Sequence, residues 1–246
     1  MTLSICTICQ DEEEPIRWYL ESCKHTYSIL KESLPEIVLV DGGSKDNTIN
    51  IIKEYQKELP IKLLEKPYEC TRDQMNFGLD HCTGDFIFTP DADMTWTTNF
   101  PDVFLTNYFD TSSYWDFLIL FIGKDAYHYF YKWPLGPNIR MFRKGIRWSQ
   151  HRRYHVLLEG QPAGPALCRE VMIFEHSARI KDDKALMNRG ERRLSHAAGM
   201  EADGPGGGPG PANRFYGAAH APDTELLPIS AYSVNIANMI LPSTNI

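Results

Sequence analysis

Positive charge is in short supply in this chain of 246 residues: 25 lysines and arginines stand against 32 aspartates and glutamates, for a formal net charge of −7. A field of that sign does not favour a polyanionic duplex or an anionic membrane surface, which argues against a dedicated nucleic-acid-binding protein. Long apolar runs are also missing. The longest, WDFLILFIG at 115–123, falls far short of the roughly 20 residues that span a bilayer, so no transmembrane insertion is expected. The N-terminal MTLSICTICQDEEEP has neither the basic start nor the apolar core of a secretory signal. Cysteine is sparse and scattered. Cys6 and Cys9 form one C-x-x-C, but no second pair follows at zinc-finger spacing, and the six cysteines read as reduced core thiols of a cytoplasmic protein.

What is present is an alternation. LSICTIC (3–9) suits a strand, and the acidic QDEEEP leads into a helical stretch through Leu30, its charges complementing the helix dipole. EIVLV (36–40) is a continuous apolar run, as in a strand buried on both faces. After DGGSKDNT, Ile49, Ile52, Tyr55 and Leu59 recur at helical spacing, with Ser44 or Asp46 available to cap. IKLLEK (61–66) reads as a strand, TRDQMNFGLDHC (71–82) as a helix and DFIFT (85–89) as a strand. This order implies an α/β fold with a mostly parallel sheet flanked by helices. Further strands are expected at FLILFIG (117–123), NIRMFRKG (138–145) and VMIFEH (171–176), and a helix over 181–200. GPGGGPGP (204–211) can only be loop or linker.

Two polar clusters fall at the C-terminal ends of expected strands: DGGS after EIVLV, and DAD after DFIFT. Ligands of open α/β sheets bind along that edge. Two carboxylates one residue apart repel unless something offsets them, and a hard divalent cation is the common partner. The plainer reading is a loop with two solvated aspartates.

Taken in order and spacing, SICTICQDEEE, EIVLVDGGSKDNT and TRDQMNFGLDHCTGDFIFTPDAD resemble the family-two glycosyltransferases of the GT-A fold, over residues 3–95. Beyond residue 100 the likeness is carried by IRMFRKGIRW and FEHSARIKDDK, similar to a subgroup with an R-x-F-R strand and a later histidine. The resemblance implies a Rossmann-like GT-A domain over 1–200, with a nucleotide-sugar half at 1–98 and an acceptor-side, less regular half at 99–200. Residues 201–246 would be a tail that is either a lid or a disordered linker. It implies a metal-dependent inverting transferase of the hexosyltransferase type, with a nucleotide-diphosphate sugar donor, most often a uridine one, and Mn2+ or Mg2+ as cofactor. Asp93 would coordinate the metal, Asp91 would meet the ribose or the metal's water shell, Ala92 lies between them, and His176 would be a third ligand. Asp41, with Gly42 and Gly43 permitting a tight turn, would face the base or ribose. One of Asp11, Glu12 and Glu13 would contact the base, and Arg72 would pair with a phosphate or with Asp91.

The general base is open. The subgroup carries HE where this chain has His155 followed by valine, which leaves His155, Glu159 and Asp125 as candidates and keeps a non-catalytic sugar-nucleotide-binding domain in view. A sugar nucleotidyltransferase is a further alternative, but CQDEEEP has no glycine where such enzymes carry a Gly-rich basic loop. Arg143, Lys144, Arg147, Arg152 and Arg153 could clamp an anion or simply be solvated, with Trp148 and Tyr154 either stacking on a ligand or in the core. The acceptor is not legible: glycan, lipid-linked sugar, protein, small molecule and, occasionally, modified nucleic acid all occur in the family.

Overall fold

A computed structural model of the chain describes residues 1–122, 128–131, 139–149, 158–160 and 165–176. Asp125, Arg152, Arg153, Tyr154, His155, the expected helix over 181–200 and the Gly/Pro segment lie outside the described residues. The first half alternates as its periodicity requires: β1 (Leu3–Cys9), α1 (Pro15–Leu30), β2 (Glu36–Asp41), α2 (Thr48–Tyr55), β3 (Ile61–Glu65), α3 (Thr71–Leu79) and β4 (Phe86–Phe88). Helix α1 opens on Pro15, whose missing N–H costs nothing in a first turn. At α2, Asp46 does the capping, accepting the Thr48 N–H at 3.0 Å. Strands run parallel in the order β3-β2-β1-β4. The apolar run of β2 is buried along its whole length because helices cover both faces.

The second half adds β5 (Met94–Trp96), α4 (Phe100–Leu105), β6 (Tyr114–Ile122), β7 (His128–Tyr131), β8 (Ile139–Arg143) and β9 (Ala166–Glu175). The sheet continues β4-β8-β6-β9-β5, with β7 on β6. Here direction changes: β8 is antiparallel to β4 and β6, and β5 to β9, while β6 and β9 are parallel. The parallel character expected for the sheet therefore belongs mainly to its first four strands. The three strands expected beyond residue 100 form β6, β8 and β9.

Two apolar clusters sandwich the sheet. One joins α1 and α4 to it through Tyr19, Phe88, Trp96 and Phe100; the other holds Val38, Val40, Phe142 and Trp148 against Met75 and Phe77 of α3. Cys6 belongs to the second cluster and Cys9 to the first. Strand alternation sends residues three apart to opposite faces, so this C-x-x-C cannot chelate an ion. All six cysteines are buried and free. Trp148 is core, and its peptide is gripped by Asn76, whose amide donates to the Trp148 carbonyl and accepts its N–H, each at 3.0 Å.

Helix α3 lies close on β1 because Gly78 has no side chain: a Cβ there would sit 2.6 Å from Cys6 Sγ and 3.1 Å from Val40 Cγ2. Gly78→Ala is expected to destabilise the fold by about 2 kcal/mol through overpacking, measured by urea denaturation, despite alanine's better helix propensity.

At the N-terminal edge of the sheet, Glu36 is buried and collects four donor groups from three residues. Thr83 donates through its N–H (2.8 Å) and its hydroxyl (2.6 Å), Lys62 Nζ lies at 3.3 Å, and the Ser4 hydroxyl makes a short contact. Ser4 Oγ in turn accepts the Gly84 N–H at 2.8 Å. Among the described residues no helix is long and apolar enough to cross a membrane.

Candidate functional site

The C-terminal edge of the parallel strands gathers the loops after β1, β2 and β4. The first two are stitched together. Asp11 and Glu12 donate their N–H groups to Ser44 Oγ (2.9 Å) and Thr48 Oγ1 (2.8 Å), and Glu13 donates to Asp46 Oδ2 (3.0 Å). In return Lys45 N–H reaches Asp11 Oδ1 at 2.7 Å and Asn47 N–H reaches Glu13 Oε2 at 3.3 Å. Asp11 sits at φ 53°, in the left-handed region that aspartate tolerates. The carboxylates of Asp11 and Glu13 thus brace the neighbouring loop. Glu12 joins the brace through its N–H, and its charge is felt at the Cys9 thiol. Burial first, then Asp41, Glu12 and Asp46, push that thiol far above its ordinary value.

Asp41 organises the turn after β2. Its Oδ2 accepts the N–H of Gly43 (2.7 Å) and of Ser44 (2.9 Å), and the Ser44 hydroxyl closes on Oδ1. Gly43 has φ 101°, which only glycine adopts readily. Gly42 is there for closeness: a Cβ would lie 3.1 Å from Tyr68 Cβ and 3.4 Å from Gln10 Oε1.

The DAD segment is built as a turn. Pro90 ends β4 by having no N–H to offer, and its carbonyl accepts the Thr7 hydroxyl at 2.8 Å. The Met94 N–H then bonds the Asp91 carbonyl at 3.0 Å, and β5 begins. Ala92 is buried between the two acids. The turn sends them to different strands. Asp91 meets Arg140 of β8, whose Nη1 and Nη2 lie 2.9 and 2.8 Å from its two oxygens. Asp93 is 7% exposed, and its carbonyl accepts the N–H of His176, the residue after β9, at 2.9 Å. His176 Nε2 lies 2.8 Å from Thr95 Oγ1, and its ring is 4.9 Å from that of Trp18 on α1.

Arg72, expected to meet a phosphate or Asp91, has its Nε 2.7 Å from Asp73 Oδ1, and Arg140 forks onto Asp91 because β8 lies beside β4. Arg140 was not among the site residues expected from sequence, although the R-x-F-R pattern contains it. Burial disfavours its charge, yet Asp91, then Glu175 and Asp93, raise its pKa above the ordinary value. The described basic residues of 143–149 each meet a partner within the fold. Arg143 pairs with Asp110 and covers the Phe86 ring, Arg147 pairs with Asp80, and Lys144 bonds the Thr83 carbonyl. Glu159 is exposed, on a turn whose peptide is fixed by the Arg147 carbonyl and the Tyr114 hydroxyl.

Carboxylate and imidazole donors suit Mn2+ or Mg2+. Among the described residues, however, no group of three acidic, histidine or cysteine side chains could hold an ion by itself. The set fits an ion that draws its remaining ligands from phosphates and water, as Mg2+ usually does, and does not fit a closed protein cage.

The model of the family described as glycosyl transferase family 2 matches residues 4–152. The chain belongs to that family. A relative from Rhizobium meliloti (strain 1021), the lipopolysaccharide core biosynthesis glycosyltransferase LpsC, is 33% identical over 94 residues, covering 38% of this chain and 32% of LpsC. The chain thus spans about a third of that relative's length. Among solved structures, S. aureus TarS 1-349 in complex with UDP matches at a TM-score of 0.51 and 18% identity, over 62% of this chain and 52% of that one. The same TarS fragment in complex with UDP-GlcNAc gives 0.50 and 18%, over 69% and 59%. At that identity the likeness is one of fold, and the fold is that of the GT-A glycosyltransferases.

Proposed function

We propose that the chain transfers a sugar from a nucleotide-diphosphate donor, a uridine one first among them, to an acceptor hydroxyl with inversion at the anomeric carbon. The observation that carries this reading is the DAD turn, which sends its two acids to Arg140 and to the His176 peptide at the ligand-binding edge of a family-2 sheet. The base and ribose would lie over the turn at Asp41 and Gly42, with one of Asp11, Glu12 and Glu13 beside them. The acceptor oxygen attacks the anomeric carbon as the bond to the diphosphate oxygen breaks. The electron pair of that bond leaves with the nucleoside diphosphate, and the acceptor proton passes to a base. His155 and Glu159 are the proposed bases, Glu159 being carried on an anchored turn. A divalent ion held by Asp93 and His176, and by the donor's own phosphates, would neutralise charge growing on the leaving diphosphate. Asp91 is the proposed contact for donor hydroxyls. We place the reaction in the cytoplasm.

The test is a thermal-shift panel of uridine, guanosine, thymidine and adenosine diphosphates, with and without Mn2+. One diphosphate is expected to raise the melting temperature in the presence of metal. At a hundredfold excess over Kd the linkage is worth about 2.7 kcal/mol. The reading loses its donor if none of the four stabilises the protein under any metal.

A further inference from the structure

The ladder between β1 and β4 stops at Ile5 and Phe88. The same offset of 83 sets Thr7 against Pro90, whose ring nitrogen has no N–H to continue it. A side chain takes over from the ladder there. The Thr7 hydroxyl donates to the Pro90 carbonyl at 2.8 Å, and Tyr19 of α1 donates its own hydroxyl to Thr7 Oγ1 at 2.9 Å. The direction of this relay is forced. A carbonyl can only accept, so the one Thr7 proton is committed to Pro90 and the Thr7 oxygen must accept from Tyr19. Burial first, then the Cys23 thiol, push the Tyr19 pKa well above the ordinary value, which keeps the phenol a donor. All three residues are buried, so bulk water does not compete for these bonds.

The relay ends on the peptide that enters the DAD turn. A peptide is planar, so holding the Pro90 carbonyl also fixes the Asp91 N–H, which lies 3.4 Å from Met94 Sδ. The Asp91 carbonyl accepts the Met94 N–H at 3.0 Å, and the Asp93 carbonyl accepts the His176 N–H at 2.9 Å. Both carboxylates therefore hang from a backbone whose entry is set by β1 and α1 and whose exit is set by the end of β9. Tyr19 is itself gripped: it is fully buried, and its ring meets that of Trp96 edge-on at 5.9 Å. Thr26 of the same helix makes comparable bonds that miss the turn. Its hydroxyl accepts from Trp96 Nε1 and donates to the Ser22 carbonyl, each at 2.9 Å.

We propose that Thr7 is a positioning residue of the transfer reaction: its hydroxyl, aimed by Tyr19, locks the Pro90–Asp91 peptide and so sets the carboxylates of the turn for a divalent ion and the donor's phosphates. The lock on the peptide stands apart from the donor reading above; its consequence for the ion and the phosphates rests on that reading.

Three variants separate positioning from packing. Thr7→Val is nearly isosteric and removes the hydroxyl, Thr7→Ser keeps it, and Thr26→Val removes a similarly buried hydroxyl that serves β5 instead. All are compared well below the lowest melting temperature. In Thr7→Val, amide hydrogen exchange over residues 91–94 should quicken by at least about tenfold, as loss of a buried hydrogen bond predicts. Mn2+ affinity in the presence of uridine diphosphate, read from the electron paramagnetic resonance signal of the free ion, should fall by about tenfold or more, the scale seen when a group behind a metal ligand is removed. Binding of uridine diphosphate without metal should stay within about twofold of wild type, because the Asp41 turn is untouched. Thr7→Ser should keep the wild-type values, and Thr26→Val should loosen α1 while leaving the turn and the Mn2+ affinity within about twofold. Where wild type couples Mn2+ to uridine diphosphate, the proposal is overturned if Thr7→Val leaves exchange or Mn2+ affinity unchanged, if Thr7→Ser behaves like Thr7→Val, or if Thr26→Val lowers that affinity as much. Should Thr7→Val not fold, Tyr19→Phe takes its place, with shifts of about threefold in the same directions as the relay loses its first member; no shift there overturns the proposal. Failure of the donor reading looks different: wild type would then show no mutual effect of Mn2+ and uridine diphosphate, and the exchange comparison alone decides the lock.

Discussion

Glu36→Ala is expected to cost about 3 kcal/mol of stability, the penalty for stripping a buried, charge-assisted hydrogen-bond cluster of its acceptor. The side chain is 3% exposed, and it ties β2 to Ser4 of β1, to Lys62 of β3 and to Thr83 before β4. Removing it leaves the Thr83 N–H and two hydroxyls without their acceptor inside the sheet's edge. For a chain of this size the melting temperature should fall by roughly 6–12 °C. Glu36→Gln keeps the shape but replaces one acceptor by a donor, and should lie between. The same cluster sets a pH dependence. Burial alone would raise the Glu36 pKa, but the bonds from Ser4 and Thr83 and the Lys62 charge outweigh it, and the folded-state value is lowered. A lowered carboxyl value means that the unfolded chain takes up a proton first. The contribution is therefore whole above the unfolded carboxyl range, about 4.3, and is lost as pH falls through the folded value. Urea midpoints from pH 7 down to pH 3 should converge for wild type and Glu36→Gln; parallel curves would remove Glu36 as the titrating group.

How much of this could be read from the chain depends on how local each signal is. The first four strands were legible because alternation of apolar runs with helical spacing is a local pattern, and the ligand edge follows from it. The Asp91–Arg140 pair was not, since it joins residues 49 apart whose strands become neighbours only when β8 folds back antiparallel onto β4. Arg72 was expected to meet a phosphate or Asp91 because guanidinium forks suit oxyanions, and the fold sets its Nε against Asp73 beside it. The acids after β1 read equally well as helix-dipole partners or base contacts. Their use in bracing the 44–48 loop depends on two strand ends lying side by side, which spacing alone does not reveal. The second half alternates less regularly, and β5 and β7, three and four residues long, are too short to carry a period.

The largest functional effect is expected at Asp93. Asp93→Asn should lower release of nucleoside diphosphate from its sugar by about a thousandfold, the scale seen when a group that stabilises developing charge is removed. The change is isosteric, and the structural bond this residue makes to His176 comes from its backbone carbonyl, at 2.9 Å, so the β5–β9 pairing survives it. Melting temperature without ligand should therefore stay within about 2 °C of wild type, as for a substitution that creates no cavity and breaks no ladder bond. His176→Ala is a poorer probe of the same chemistry, because it also removes the Thr95 partner and the ring against Trp18. Turnover and stability must be measured on the same preparations. A fall in both would make Asp93 a packing residue of the turn, whereas a fall in turnover alone, with metal-dependent nucleotide stabilisation lost in parallel, ties the carboxylate to the departing diphosphate. Asp93→Asn turnover equal to wild type would return the DAD turn to the solvated loop that its sequence also allowed.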